Sequence, residues 1–305
     1  MNSPSSLARW LLGNAAILSL AQAQPDSQRS DPAANEAAIM PGVFNTQLPQ
    51  TLREQHLRFT VRPHFGDLIH EDYLGVTFAT RYGLTPQWEL NGDVDTYVAH
   101  GLRNERLLNH AGLSRVGIGA KYKFPKLFRP FWETAAGASY SFPVGRPPSD
   151  VTDGYRHFRP YLTMSHTFEN HPNVTGFISY GLDLVSRTYA TNIPNEDSLN
   201  DNSWAITPGF ILHRGPVNYS LEISYSSTAV IGDRQASSVS LRPSLEWTLP
   251  PRFKFHARNR WVIGLGLQAS YGSDGSDFGV NARIQTDFDF KRFLPWHRPK
   301  PETNP

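Results

Sequence analysis

Charged side chains recur at every second or fourth position through much of this sequence. Arg58 and Arg62, Glu89, Asp93 and Asp95, Lys121 and Lys123, Glu222, Arg242 and Glu246, and Arg283, Asp287 and Asp289 fall in such runs. Arg81, Arg115, Glu133, Arg159, Asp183 and Arg260 stand among alternating apolar and polar neighbours. Residues two apart on an extended chain share a face. These groups would therefore line one side of a sheet whose other side is apolar. The chemistry open to such rows is electrostatic: ladders of opposite charge that neutralise one another and stiffen the wall, or a transverse field that orients polar solutes in a passage.

Other chemistries find less support in the spacing. Ser165 and His166 are the nearest local serine–histidine pair, but adjacent residues on a strand point to opposite faces, which no hydroxyl–imidazole relay tolerates. His166 reads better as an outward residue near an interface. His64, His70 and His100, with Asp72 near His70, fall toward one rim, yet no histidine pair has the i, i+2 spacing that a metal site on a strand would use. Asp274 and Asp277 in Gly-Ser-Asp-Gly-Ser-Asp could suggest a calcium loop, but a tight turn needs the same residues. The absence of cysteine excludes thiolate metal ligands, cysteine nucleophiles, disulfides and lipidation on cysteine. No catalytic residue, metal site or cofactor is expected.

The elements that must position the charges are strands. Val217 to Tyr225 and Val239 to Trp247 are apolar at every second residue, with Glu222, Arg242 and Glu246 opposite. The same period predicts twelve segments at 56–65, 73–82, 88–98, 113–124, 130–142, 156–168, 174–186, 202–212, 217–227, 237–248, 258–271 and 277–290. Ten tilted residues suffice to cross a bilayer. Connections alternate in length: 83–87, 125–129, 169–173 and 213–216 are tight, while 99–112, 143–155 and 187–201 are long and rich in Asp, Asn, Gly, Ser and Pro. That asymmetry belongs to transmembrane barrels with short periplasmic turns and longer outside loops. The expected fold is all-β: a single antiparallel transmembrane β-barrel of about twelve strands, outer-membrane type, with both termini periplasmic.

Tryptophan sharpens the register. Trp88, Trp132, Trp204, Trp247 and Trp261 all share the aliphatic face and lie near strand ends, where an aromatic girdle meets the membrane interface. A soluble β-sandwich has no reason to gather rings there. The nineteen charges named above are then expected to line the lumen. Closure would bring Asp287 and Asp289 near Arg58 and Arg62, and the neighbouring strands would bring Glu89 near Lys121 and Lys123. Phe288 and Phe290 on the last segment have the paired aromatics of an assembly signal for the barrel-insertion machinery, although Gln285 stands where glycine is usual and a tail follows.

The flanks agree with export. Arg9, the apolar run from Trp10 to Leu20 and Ala21-Gln22-Ala23 read as a signal peptide over 1–23, the alternative being an N-terminal anchor or amphipathic helix. Residues 24–54 lack any period and are expected to be a flexible periplasmic segment. The barrel would occupy 55–290 and a Pro-rich periplasmic tail 291–305. The 305 residues include 18 Phe, 12 Tyr and 7 Trp, too aromatic a mixture for disorder, and a net charge of +2 gives no basic face for nucleic acid.

Three runs resemble a known family: RYGLTPQWELNG from Arg81 to Gly92, VGIGAKYKF from Val116 to Phe124, and YSFPVG from Tyr140 to Gly145. They are similar to motifs of outer-membrane transporters associated with the meta-pathway of phenol degradation. The resemblance implies a periplasmic turn for the first motif, an entry into an outside loop for the last, and transport of hydrophobic molecules. The leading expectation is a channel or transporter in the outer membrane of a Gram-negative bacterium, for passive uptake or efflux of a small-molecule solute whose identity is open. Its lumen is charged, with loop 187–201 a candidate constriction. The alternatives are a structural or surface-binding barrel with a plugged lumen, and a lipid-directed hydrolase. Expected partners are outer-membrane lipid and lipopolysaccharide, the insertion machinery and the solute.

Overall fold

A computed structural model describes residues 46–65, 73–99, 111–128, 132–145, 154–186, 202–231, 236–250, 260–273 and 275–290. Alternation gives each segment one apolar and one polar face, and closing the sheet hides the polar face while leaving no edge unpaired. The chain does this with twelve strands. They are β1 (His56–Phe65), β2 (Tyr73–Gly83), β3 (Trp88–Ala99), β4 (Ala111–Phe128), β5 (Trp132–Pro143), β6 (Arg156–Thr167), β7 (Val174–Ser186), β8 (Ser203–Arg214), β9 (Val217–Ser227), β10 (Ser237–Thr248), β11 (Arg260–Gly272) and β12 (Gly275–Asp289). Each pairs antiparallel with its sequence neighbours, and β1 closes on β12 with Arg58 opposite Asp287. The all-β fold and the strand number expected from periodicity are both met.

The barrel is inside out relative to a water-soluble protein. Every strand exposes large apolar side chains, from Phe59 on β1 through Ile118, Phe210 and Leu265 to Ile284 on β12. The largest fully buried side chains include Lys121, Gln285 and Glu222. Apolar rows on all twelve outer faces need an apolar surrounding, since a water-facing patch of that extent would drive association.

Two departures from strict alternation matter. Between Asp95 and Thr96 the β3–β4 register shifts, and Ser114 occupies a bulge, so that Leu113 is exposed while Arg115, two residues on, turns inward to Asp95. β4 also runs on to Phe128, which pairs with Trp132 after an irregularity, so most of the tight turn expected at 125–129 is strand.

The expected flexible segment 24–54 needs correction over its described part. Residues 46–52 form a strap inside the barrel, with Leu48 and Leu52 at 3% and 5% exposure. A turn at Arg53 to His56 reverses the chain into β1. His56 N donates to Arg53 O at 3.1 Å, Gln55 N donates to Gly83 O at 2.7 Å, and Gln55 itself takes φ of 60°. A Cβ at Gly83 would stand 2.1 Å from Arg53 O, so only glycine lets the strap pass this close to the wall. The expected signal peptide, residues 24–45, loop 187–201 and the tail 291–305 lie outside the described residues, as do His70, Asp72, His100 and Asp274.

Candidate functional site

The lumen divides at Thr46 and Gln47. In the half nearer the start of β1, strap and wall satisfy one another. Lys121 Nζ donates to Leu48 O at 3.2 Å and Gln50 O at 2.6 Å, and lies 3.1 Å from Glu89 Oε1. These contacts use the three donors of an ammonium group. Glu89 Oε2 accepts from Leu52 N at 2.9 Å. Gln50 Nε2 donates to Glu133 at 2.8 Å and to Ser165 Oγ at 3.0 Å, and Thr46 Oγ1 donates to Glu222 Oε2 at 2.5 Å. Leu48 packs against Phe177 and Ile211, and Gly209 leaves the space that Phe177 fills.

Beyond the strap lies a cavity of about 610 Å³ floored by Thr46 and Gln47. Its wall carries Arg62, Arg81, Arg115, Arg159, Arg242 and Arg283 against Asp93, Asp95 and Asp183. Asp95 accepts from Arg115 Nε at 2.8 Å and Thr77 Oγ1 at 2.7 Å. Asp183 accepts from Arg159 Nε at 2.9 Å and stands 2.9 Å from His157 Nδ1. Serine and threonine hydroxyls from β7 to β11 fill much of the remaining wall, among them Ser179, Thr207, Ser224 and Ser240.

Nine of the nineteen expected charges thus line the cavity, and the other ten sit toward the strap. Arg58 holds Asp287 with two bonds, 2.6 and 2.9 Å, as closure led one to expect, but Arg62 lies farther along and faces the cavity. Asp289 is opposite His56 in register. Glu89 meets Lys121, and Arg81 approaches it at 3.7 Å, whereas Lys123 turns to Glu133 at 2.8 Å. Arg283 pairs with Glu246, and Arg260 reaches Thr248 Oγ1 at 3.4 Å.

Outside, Trp88 packs on Tyr122 at 4.9 Å and Trp204 on Tyr225 at 5.4 Å. Trp132 meets His166 at 5.6 Å, and Trp247 is exposed. Trp261 shares the parity of exposed Ile263, so all five expected girdle residues take the outer register. Ser165 is buried in the lumen while His166 stacks outside between Trp132 and Phe168, so the two form no dyad. Phe288 is opposite Leu57 in register, and Phe290 meets Tyr82 edge-on at 5.9 Å.

Sequence reasoning missed the strap contacts of Thr46, Leu48, Gln50 and Leu52, and also His157. A signal for the strap existed: Phe177 and Ile211 occupy inward positions on otherwise polar faces, and an apolar residue in a wet lumen implies an apolar partner there.

A closed twelve-stranded barrel with an apolar exterior, a charged interior and an internal strap is the architecture of an outer-membrane protein. No protein-family model matches the chain, and no curated protein does. Among solved structures, an outer-membrane channel from Pseudomonas putida F1 aligns with a TM-score of 0.50 at 12% identity, covering 79% of this chain and 98% of that one. The KdgM porin aligns at 0.47 and 10% identity over 76% and 99% of the two chains. The CymD monoaromatic hydrocarbon channel gives 0.41 and 10% over 77% and 88%. At such identities the first of these shows a shared fold.

Proposed function

We propose that this protein is an outer-membrane channel or transporter for small polar molecules, with its strap end in the periplasm and its described lumen closed at that end by residues 46–52. One observation carries the reading: a cavity of about 610 Å³ lined mainly by polar and charged side chains lies inside a closed barrel whose outer face is apolar on every strand. Volumes of roughly 300–1,000 Å³ are those of small-molecule sites. The fold shared with a channel from Pseudomonas putida supports the same class. The motif resemblance to phenol meta-pathway transporters falls largely on the turn 84–87 and on girdle residues such as Trp88 and Tyr122. It supports the architecture and a transport role, while the charged wall favours a polar over a hydrophobic solute. Phe288 and Phe290 keep their proposed role in assembly.

The strap itself favours one rival, a barrel whose lumen is permanently plugged and which acts through its loops. Conductance separates the two. In planar bilayers the intact protein is expected to pass little current, and a variant lacking residues 46–52 at least about tenfold more, because a filled half-lumen leaves no continuous water path. If neither passes current, the channel reading fails and the plugged barrel stands.

A further inference from the structure

The ion pairs of the wall leave one described charge in the cavity unmatched, and it is a carboxylate. Arg81 stands with Glu89, Arg115 with Asp95, Arg159 with Asp183 and Arg283 with Glu246, and Arg62 and Arg242 are likewise engaged. The other inward acids have partners too: Glu133 meets Lys123, Asp287 meets Arg58, Glu222 accepts from Thr46, and Asp289 is engaged as well. Asp93 is the exception among the described inward carboxylates. It lines the cavity and is half-buried, yet no cation stands within ion-pair distance of it and no donor bonds to it. Withdrawing a carboxylate from water without a partner costs free energy that nothing in the described wall offsets. The partner must come from the cavity.

The neighbouring strands leave Asp93 open. Directly across from it stand Ala79 on β2 and Gly117 on β4, and neither covers the carboxylate. A Cβ at Gly117 would lie 2.6 Å from Asp93 Oδ1, and one at Gly119 would strike Asn91 Oδ1. Asp93 and Asn91, two apart on β3, therefore lay their side-chain oxygens side by side over a floor of two glycines. An ammonium group has three donors and no acceptor, and a carboxylate with a neighbouring amide oxygen gives it both charge and direction. A metal ion finds less. Calcium takes about six to eight oxygens, and no group of three or more acidic or histidine side chains placed to hold a metal occurs among the described residues. Farther along the wall Thr60, Thr77, Ser139 and Ser179 supply hydroxyls for the rest of a polar solute.

We propose that Asp93, with Asn91 beside it, is a binding site for the ammonium group of a small organic amine, and that the cavity takes such cations in preference to anions of similar size. Arg62, Arg115 and Arg159 act on Asp93 from beyond ion-pair distance, so the affinity is modest. A passage needs binding weak enough for the solute to leave. This deepens the channel reading and rests on it for the route by which the solute arrives.

The test is equilibrium calorimetry at low salt on the full chain in detergent, its folding verified by the heat-induced shift in gel mobility. Ethanolamine, ethylene glycol and glycolate are the probes, alike in size but cationic, neutral and anionic. Saturable ethanolamine binding is expected, at least about tenfold tighter than either of the others. Asp93→Asn keeps the shape and removes the charge, and with no partner to lose it is expected to fold. It weakens ethanolamine by at least about tenfold, the scale of one charge-assisted hydrogen bond. Gly117→Ala drives the carboxylate from its place, weakens ethanolamine as well, and serves if Asp93→Asn does not fold. Asn91→Ala weakens ethanolamine several-fold. Glu169→Gln, which loses the same charge on the exposed turn between β6 and β7, leaves binding within about twofold. Ethanolamine bound no tighter than ethylene glycol, glycolate bound tighter than ethanolamine, or affinity unchanged in a folded Asp93→Asn or Gly117→Ala barrel overturns the site. An equal loss in Glu169→Gln overturns its assignment to Asp93, and indifference to Asn91→Ala overturns the part given to Asn91. Binding is read without any membrane, so absence of bilayer current with binding intact would sink the channel reading alone. Current with no ethanolamine binding would sink this proposal alone.

Discussion

Along the barrel axis the inward charges fall into two populations. Toward the strap stand four cations, Arg58, Lys121, Lys123 and Arg260, and six carboxylates, Glu89, Glu133, Glu222, Glu246, Asp287 and Asp289. Around the cavity stand six arginines and three aspartates. The whole lumen is close to neutral, and the pairs Arg81–Glu89 and Arg283–Glu246 join the two groups. The difference follows what each half holds. A peptide segment brings donors, and Glu89, Glu133 and Glu222 accept from the Leu52 amide, the Gln50 side chain and the Thr46 hydroxyl. Its carbonyls at Leu48 and Gln50 fall to the buried ammonium of Lys121. Backbone groups taken out of water need such partners. Around the cavity the guanidinium groups are met by carboxylates of the wall, Arg115 by Asp95, Arg159 by Asp183, Arg81 by Glu89 and Arg283 by Glu246.

Three substitutions break or sharpen this contrast, each read by thiol labelling of Gln47→Cys. The chain has no cysteine of its own, so a label there reports the strap alone. Lys121→Met has the largest expected effect: removing one partner of a buried ion pair costs about 3–5 kcal/mol. Labelling should accelerate by two to three orders of magnitude while the barrel keeps its heat-modifiable mobility. Unchanged labelling would mean that the strap is held without Lys121. Leu48→Ala comes next, since loss of a buried leucine costs about 2–5 kcal/mol, the lower end applying at an edge that water can refill. Labelling at least tenfold faster is expected, with Arg58–Asp287 and the outer girdle unaffected. Lys123→Ala is the smallest: its pair with Glu133 is half-exposed, with side chains 26% and 47% accessible, and such pairs contribute about 1 kcal/mol or less. A labelling rate within about fivefold of the parent separates it from Lys121 two residues earlier. A large effect would show that the acidic half depends on its rim as much as on its buried ammonium.

Much of the wall was legible in the residues. Leu221, Glu222 and Ile223 alternate within any short window, so the side to which Glu222 points follows from local pattern. The outer register of the five tryptophans follows for the same reason. Arg115 turns to Asp95 although a bulge intervenes, because its neighbours Val116 and Ile118 set the parity after Ser114 and not before it. Pairings were only partly legible. Arg58 met Asp287, but Arg62 did not join the aspartates of the last strand, since strands cross a barrel at a tilt and the stagger carries residues four apart to different depths.

Alternation is a property of each ten-residue segment, and so the sequence alone determined that this chain forms strands, how many there are, and which side chains share a face. The occupancy of the lumen was decided only in three dimensions. Thr46 meets Glu222 across 176 residues and Leu52 meets Glu89 across 37, through a segment with no period of its own. No local pattern encodes such contacts: they exist only once twelve strands have closed around the strap and brought acceptors for its donors to one end of the barrel.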